Sequence, residues 1–209
     1  MIVDPGRLRL CLVTDRNLSR GRPLLEIVAA AVRGGATMVQ LREKEADTRT
    51  FVELARALKT MLAEAGVAFI VNDRVDVALA AGADGVHVGQ TDMRVEDVRR
   101  LLGPECIVGL SIDNVDQIRG ADAAFADYLG VGPIYAQSTK SDAAPPLGLA
   151  GLRMARALTI KPIIAIGGIT PENATAAFEA GAQGLAVVSA IVAADDPEAA
   201  TRRFAQVFR

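Results

Sequence analysis

Short apolar runs recur along the chain, and almost every interval between them is long enough for one helix. A strand, a helix and a second strand in succession make the two strands parallel neighbours. About eight such repeats with short links indicate an α/β fold, a single (β/α)8 barrel of the TIM type. An open doubly wound sheet is the alternative, and it predicts a glycine fingerprint after the first strand. Asp15-Arg16-Asn17 stands there instead. The chain has 209 residues, near the lower limit for such a barrel. No linker or second domain shows within 1–209.

The strand-like runs fall at 8–14, 37–43, 69–71, 85–88, 106–110, 128–135, 162–166 and 184–188. Helical segments read at 24–33, from Asp47 or Thr48 to 65, at 75–81, 93–102, near 114–119, and at 149–158. Thr170-Pro171 reads as cap and first residue of a further helix to 180, and Asp196-Pro197 opens the last. The core is aliphatic, with no Trp and 4% aromatic residues. A net charge of −2 offers no bulk attraction for nucleic acid or a membrane surface. No apolar run is long enough for a bilayer, and the first ten residues lack a signal-peptide pattern. Cys11 and Cys106 lie in apolar runs and read as small buried hydrophobes, so a cytoplasmic chain is expected. His87 is the only histidine, which excludes a multi-histidine metal site within one chain.

In parallel strand–helix units the ligand site lies beyond the carboxyl ends of the strands. Residues 69–92 place Asn72 and Asp73 after one strand, and Gln90 and Asp92 after the next. Two carboxylates and two amides at one rim suit Mg²⁺, which takes oxygen ligands and keeps positions for water and substrate phosphates. Locally, both aspartates also read as helix caps. In the run at 37–43, Val39 and Leu41 share one face, while Gln40, Arg42 and Lys44 share the other. If helices coat the outer face, that polar face points into the barrel mouth; a solvated edge is the other reading. Gly167-Gly168 after the seventh strand and Ser189 after the eighth suit a phosphate held by backbone N–H groups, with Ser189 adding a hydroxyl donor. The longest polar segment, 136–148, carries Lys140 and is expected to close over bound anions. No nucleophile–base pair stands out: Ser111 has no evident base, and His87 reads as packed or hydrogen-bonded within its strand. The nearby cations are expected to keep Asp73 and Asp92 ionised.

The motifs LVTD at 12–15, QLREK at 40–44, NDRVDVALAAGADGVHVGQTD at 72–92, GLS at 109–111, GVGPIY at 130–135, STK at 138–140, PPLGL at 145–149, AIGGI at 165–169 and VVSAI at 187–191 resemble the thiamine phosphate synthase family. The resemblance implies a transferase that joins hydroxymethylpyrimidine pyrophosphate to a thiazole phosphate with Mg²⁺. It implies that Gln40 contacts the pyrimidine, and that Arg42, Lys44, Asn72 and Lys140 hold the pyrophosphate. Asp73 and Asp92 would bind Mg²⁺. Ser111 would lie beside the pyrophosphate and the reacting carbon. Thr139, Gly168, Val188 and Ser189 would hold the thiazole phosphate. The chain departs from the family pattern at Ala136-Gln137, where Pro-Thr is usual; Gln137 retains a hydrogen-bond donor for a phosphate. Asp113 stands where many members carry His. The alternatives are a thiazole tautomerase of the same superfamily and a non-enzymatic barrel that binds a phosphate ligand.

Overall fold

The computed structural model describes residues 4–137 and 144–208. Eight parallel strands close on themselves in chain order: β1 (Leu10–Val13), β2 (Met38–Leu41), β3 (Ala68–Asn72), β4 (Gly85–Val88), β5 (Ile107–Ile112), β6 (Tyr128–Val131), β7 (Ile163–Ile166) and β8 (Gly184–Val187). Closure is made by β1 against β8, with Leu10 opposite Leu185 and Leu12 opposite Val187. Around the barrel run α1 (Leu24–Gly34), α2 (Thr48–Glu64), α3 (Val75–Ala81), α4 (Val95–Leu102), α5 (Ala121–Phe125), α6 (Gly148–Leu158), α7 (Ala174–Glu179), α8 (Ser189–Val192) and α9 (Pro197–Ala205). The expected (β/α)8 barrel is therefore the observed fold.

The two-residue period of a strand sends alternate side chains to two different cores. Val39, Leu41, Phe69, Val71, Val86, Val88, Leu129 and Val131 face outward and pack with the helices. α2 shows how the helices meet them. Its Phe51, Ala55, Leu58 and Leu62 recur at helical spacing and are fully buried, while Asp47 caps its first turn by accepting the Thr50 N–H at 3.0 Å. Met38, Ala68, Ile70, Ile107, Tyr128, Ile164 and Ala186 face inward and fill the barrel. The same alternation turns Gln40, His87 and Ser111 inward at the next levels. That settles the orientation of the 37–43 run: its strand is not a solvated edge, and Gln40 is buried within the barrel.

Several boundaries differ from the sequence reading, each for a local reason. β5 continues to Ile112, so Ser111 is a strand residue; Cys106 lies just before it and is half-buried. The fourth helix starts at Val95, not Met93, and its first N–H is bound by Asp122 Oδ1 of α5 at 2.9 Å. α7 starts at Ala174. Asn173 accepts the Thr170 N–H and donates to the Gly168 carbonyl, which holds 170–173 as a turn. α5 and α8 are additional elements, too short to show a helical period.

Candidate active site

The central strand–helix–strand unit forms as expected, with β3, α3 and β4 between Ala68 and Val88. Asp73 continues the β3 ladder, its N–H donating to the His87 carbonyl at 2.8 Å. It then takes a left-handed conformation, φ 62°, uncommon for a residue other than glycine though best tolerated by Asp and Asn. This bend carries its carboxylate to Lys44 Nζ at 2.6 Å. Neither aspartate caps a helix. The residue before α3 is Arg74 and the one before α4 is Arg94, and neither arginine side chain caps its helix. Asp92 instead bonds the Gly89 N–H at 2.7 Å, which folds its own loop back towards β4.

The two carboxyls are neighbours. Burial, together with the adjoining Asp73 carboxyl, pushes the Asp92 carboxyl above the ordinary carboxylate value. The expectation that nearby cations favour ionisation of both groups fails at Asp92, where burial and the adjoining carboxyl outweigh Lys44, which pairs with Asp73 instead. A carboxyl whose ionisation is made costly by burial and by an adjoining carboxyl is a donor that a divalent cation would relieve. Among the described residues no cluster of three or more His, Cys, Asp or Glu side chains could enclose a metal. A pair with open positions suits Mg²⁺ better than a closed protein cage does. Asn72 ends β3 beside them, and Gln90 Nε2 donates to the Ser111 carbonyl at 2.6 Å, tying the Asp92 loop to β5.

Arg42 and Lys44 lie beyond the end of β2, in the loop rather than on the strand. A shallow cleft runs between the β1 and β2 loops, lined by Asp15, Arg16, Asn17, Arg42, Glu43, Lys44 and Glu45. Asp15 organises it. One carboxylate oxygen accepts the N–H groups of Asn17 and Leu18, and the other accepts from Arg42 Nη1 at 3.3 Å. Glu43 is almost fully buried and accepts from Arg16 Nε at 2.6 Å. Burial pushes its carboxyl up, but Arg16 and the backbone N–H groups of Lys44 and Glu45 outweigh this and hold it below the usual range. The loop is therefore built so that the Arg42 and Lys44 heads are presented at the rim.

Inside the barrel the sequence reading missed a contact. Ser111 Oγ lies 2.9 Å from His87 Nε2, and His87 Nδ1 lies 2.9 Å from the Tyr128 hydroxyl. The Gln40 side chain approaches that same hydroxyl. This is not a nucleophile with its base. Burial pushes the imidazole down to about 4, and its far nitrogen meets a phenol rather than a carboxylate. Such an imidazole has little pull on a hydroxyl proton at neutral pH. The thiols are no better placed, since burial raises Cys11 to about 12 and Cys106 to about 11.

Across the mouth, Gly168 has φ 66°, and a Cβ there would stand 2.7 Å from the Ala136 carbonyl oxygen. Only glycine lets the β7 turn lie so close to the chain after β6. Val188 packs on the inner core, and Ser189 opens the four-residue α8. These residues bring a turn and a helix start to one side, opposite Asp73 and Asp92 around the barrel. Gln137 is half-buried. Asp113 is exposed and bonded to Gln117, whose side chain it accepts from at 2.5 Å. Thr139 and Lys140, within residues 138–143 of the expected lid, lie outside the described residues.

Known proteins match this chain along its length. Residues 10–191 fit the model of the family described as thiamine monophosphate synthase. The thiamine-phosphate synthase of Chloroflexus aurantiacus is 55% identical over 195 residues, covering 93% of this chain and 90% of its own. That of Albidiferax ferrireducens is 52% identical over 200 residues, covering 96% and 91%. The thiamine phosphate pyrophosphorylase structure from Pyrococcus furiosus superimposes with a TM-score of 0.88 at 37% identity, over 97% of this chain and 96% of that one. A 3-hexulose-6-phosphate synthase structure, 18% identical with a TM-score of 0.69, shares the barrel. With the family model spanning most of its length and half of its residues shared with these synthases, the chain belongs to the thiamine-phosphate synthase family.

Proposed function

We propose that the protein joins hydroxymethylpyrimidine pyrophosphate to hydroxyethylthiazole phosphate, releasing pyrophosphate and forming thiamine phosphate. The observation that carries this reading is the rim itself. Two adjacent carboxylates, Asp73 and Asp92, stand beside Lys44, with Arg42 fixed by Asp15 nearby. Asp73 and Asp92 would hold Mg²⁺, which when bound supplies positive charge to a pyrophosphate. Arg42, Lys44 and Asn72, with Lys140 from the loop, would grip the same pyrophosphate by charge and hydrogen bonds. Gln40, buried in the barrel, would receive the pyrimidine, and Ser111 would reach the pyrophosphate near the reacting carbon. Thr139, Gly168, Val188 and Ser189 would hold the thiazole phosphate, with Gln137 at its edge.

The reaction would be dissociative. Among the described residues no side chain at this rim is placed as a covalent nucleophile, and the cations gather where a leaving group would be. The carbon–oxygen bond to pyrophosphate would break first, leaving a pyrimidine methylene cation. The thiazole nitrogen would then supply the electron pair for the new carbon–nitrogen bond. Arg42 and Lys44 would hold the departing anion, and the loop would keep water away. A tautomerase needs a group that exchanges protons near neutral pH, and His87 at about 4 is poorly suited to that. The cytoplasm is the proposed compartment; among the described residues no helix is long and apolar enough to cross a membrane.

The test is a coupled assay with both substrates, then with each alone. Thiamine phosphate should form only with both, only with Mg²⁺, and not in EDTA. Asp92→Ala should lower turnover by about 100-fold or more, with little change in melting temperature, as expected for loss of charge stabilisation at a rim. Turnover that persists in EDTA would remove the metal from this account. A trifluoromethyl pyrimidine that reacts in a single turnover as fast as the natural substrate would remove the cation.

A further inference from the structure

Four groups meet inside the barrel: His87 on β4 is hydrogen-bonded to Tyr128 on β6 and to Ser111 on β5, and the Gln40 side chain on β2 approaches the Tyr128 hydroxyl. Their meeting depends on register. His87 pairs with Gly109 across β4 and β5, and Gly109 pairs with Tyr128 across β5 and β6. The residue between His87 and Tyr128 thus has no side chain. A Cβ on Gly109 would lie 2.2 Å from Tyr128 Cζ and 2.4 Å from His87 Nδ1. One level up, Ser111 pairs with Gly130, where a Cβ would lie 2.9 Å from His87 Cε1. Two glycines therefore clear the volume that the imidazole and the phenol occupy. Tyr128 is 1% exposed and His87 7% exposed, so water contributes little to their hydrogen bonding.

A neutral imidazole has one N–H and one lone pair, so such a chain runs in one of two senses. In one sense Ser111 donates to His87 Nε2, and the hydroxyl turns lone pairs outward. In the other, Tyr128 donates to Nδ1, His87 donates from Nε2 to Ser111 Oγ, and the serine proton is free to point out of the barrel. The Gln40 amide carries both donors and an acceptor and starts either sense equally well. The choice is made at the far end. If Ser111 faces a departing pyrophosphate, as the proposed function has it, lone pairs there repel the anion and a proton stabilises it.

We propose that Tyr128 and His87 are positioning residues that hold the imidazole in its Nε2–H tautomer, so that the Ser111 hydroxyl donates to the leaving pyrophosphate. Neither residue touches the reacting atoms; both act through Ser111. No proton is transferred. The chain fixes the direction of four existing donors, in a site where reorienting a dipole during the reaction would cost rate.

His87 is the only histidine, so a ¹⁵N NMR spectrum of histidine-labelled protein, recorded with Mg²⁺ and inorganic pyrophosphate added, reads its tautomer without turnover. The expected spectrum has a protonated Nε2 and a bare Nδ1. A protonated Nδ1 with a bare Nε2 overturns the proposal. The kinetic arm is a double-mutant cycle. Tyr128→Phe should lower kcat by about ten-fold, less than the loss of the donor itself in Ser111→Ala, and leave KM for the thiazole phosphate unchanged. In the Ser111→Ala background Tyr128→Phe should have no further effect. His87→Gln, which keeps a donor near the Nε2 position, should retain more kcat than His87→Leu. A role in packing alone would lower the melting temperature and leave these rates as they are. Wild-type turnover in Tyr128→Phe, or the same loss with and without Ser111, overturns the relay. A wild-type protein that makes no thiamine phosphate would instead fail the functional reading, and the tautomer measurement would still stand.

Discussion

At the residue scale, the rim is governed by which carboxylate answers which cation. Asp15 is the group least expected from the sequence. It is 8% exposed, and it divides its two oxygens between the backbone of its own loop and Arg42. Asp15→Asn keeps an acceptor for the Asn17 and Leu18 N–H groups but weakens the hold on Arg42. It should raise KM for the pyrimidine pyrophosphate by about ten-fold, equivalent to about 1.4 kcal/mol, and leave KM for the thiazole phosphate alone. Equal changes in both would mean that the loop, not Arg42, had been disturbed. The sequence was readable as far as residue type and strand end. Asp73, Asp92, Arg42 and Lys44 could be placed at strand ends from local pattern, but the two aspartates read locally as helix caps as well, and only the resemblance of the whole set of motifs favoured the rim role. Asp15 and Tyr128 were not singled out. Their partners are 27 and 41 residues away, on other strands, and no local spacing relates them. The Ser111–His87 contact was missed for the same reason: it needs the register of β4 on β5, not only the existence of both strands.

At the scale of elements, strand periodicity explains both what was readable and what was not. The runs bounded by polar residues matched the strands because a helix-coated strand is apolar on its outer face all along. Val75–Ala81 and Gly85–Val88 form where they were expected. The short elements α5 and α8 gave no signal, since neither completes enough turns to show a buried stripe. Within β5 and β6 the glycines look like breaks in a strand pattern, yet they are spaces for side chains from neighbouring strands. This makes a prediction at two positions. Gly109→Ala drives a Cβ to 2.2 Å from the Tyr128 ring, whereas Gly130→Ala meets only the edge of His87 at 2.9 Å. Overpacking of this kind costs about 1–3 kcal/mol. Gly109→Ala should fall at or beyond the upper end and Gly130→Ala near the lower, read as shifts in the urea midpoint at unchanged slope. Gly109→Ala should also lower turnover, because it parts Tyr128 from His87. If the two substitutions cost the same, the interior is looser than these distances indicate.

At the scale of the whole molecule, one buried imidazole ties stability to pH. The barrel has no free edge, since β1 pairs with β8, so water can reach its interior only from the ends. His87 is reached there by Tyr128 from β6 and Ser111 from β5, with the Cys11 thiol of β1 acting on Tyr128 and the Asp92 carboxyl acting from the loop after β4. Burial lowers its pKa from 6.5 to about 4, and Asp92 only partly opposes this. The folded value lies below the unfolded one, so the unfolded chain binds the proton first as pH falls. Stability from the neutral imidazole is therefore complete above about pH 6.5, declines as pH falls towards 4, and levels off once the folded protein is protonated too. The full difference is about 3 kcal/mol, of which about 2 kcal/mol should be gone by pH 5. Other groups titrate in the same range, so the measurement is a difference. Unfolding free energies of wild type and His87→Gln are compared in urea at pH 8 and pH 5. Wild type should lose about 2 kcal/mol more than the variant over that interval. Parallel losses would mean that water reaches the imidazole in the folded barrel, and that the interior chain is less sealed than its hydrogen bonds imply.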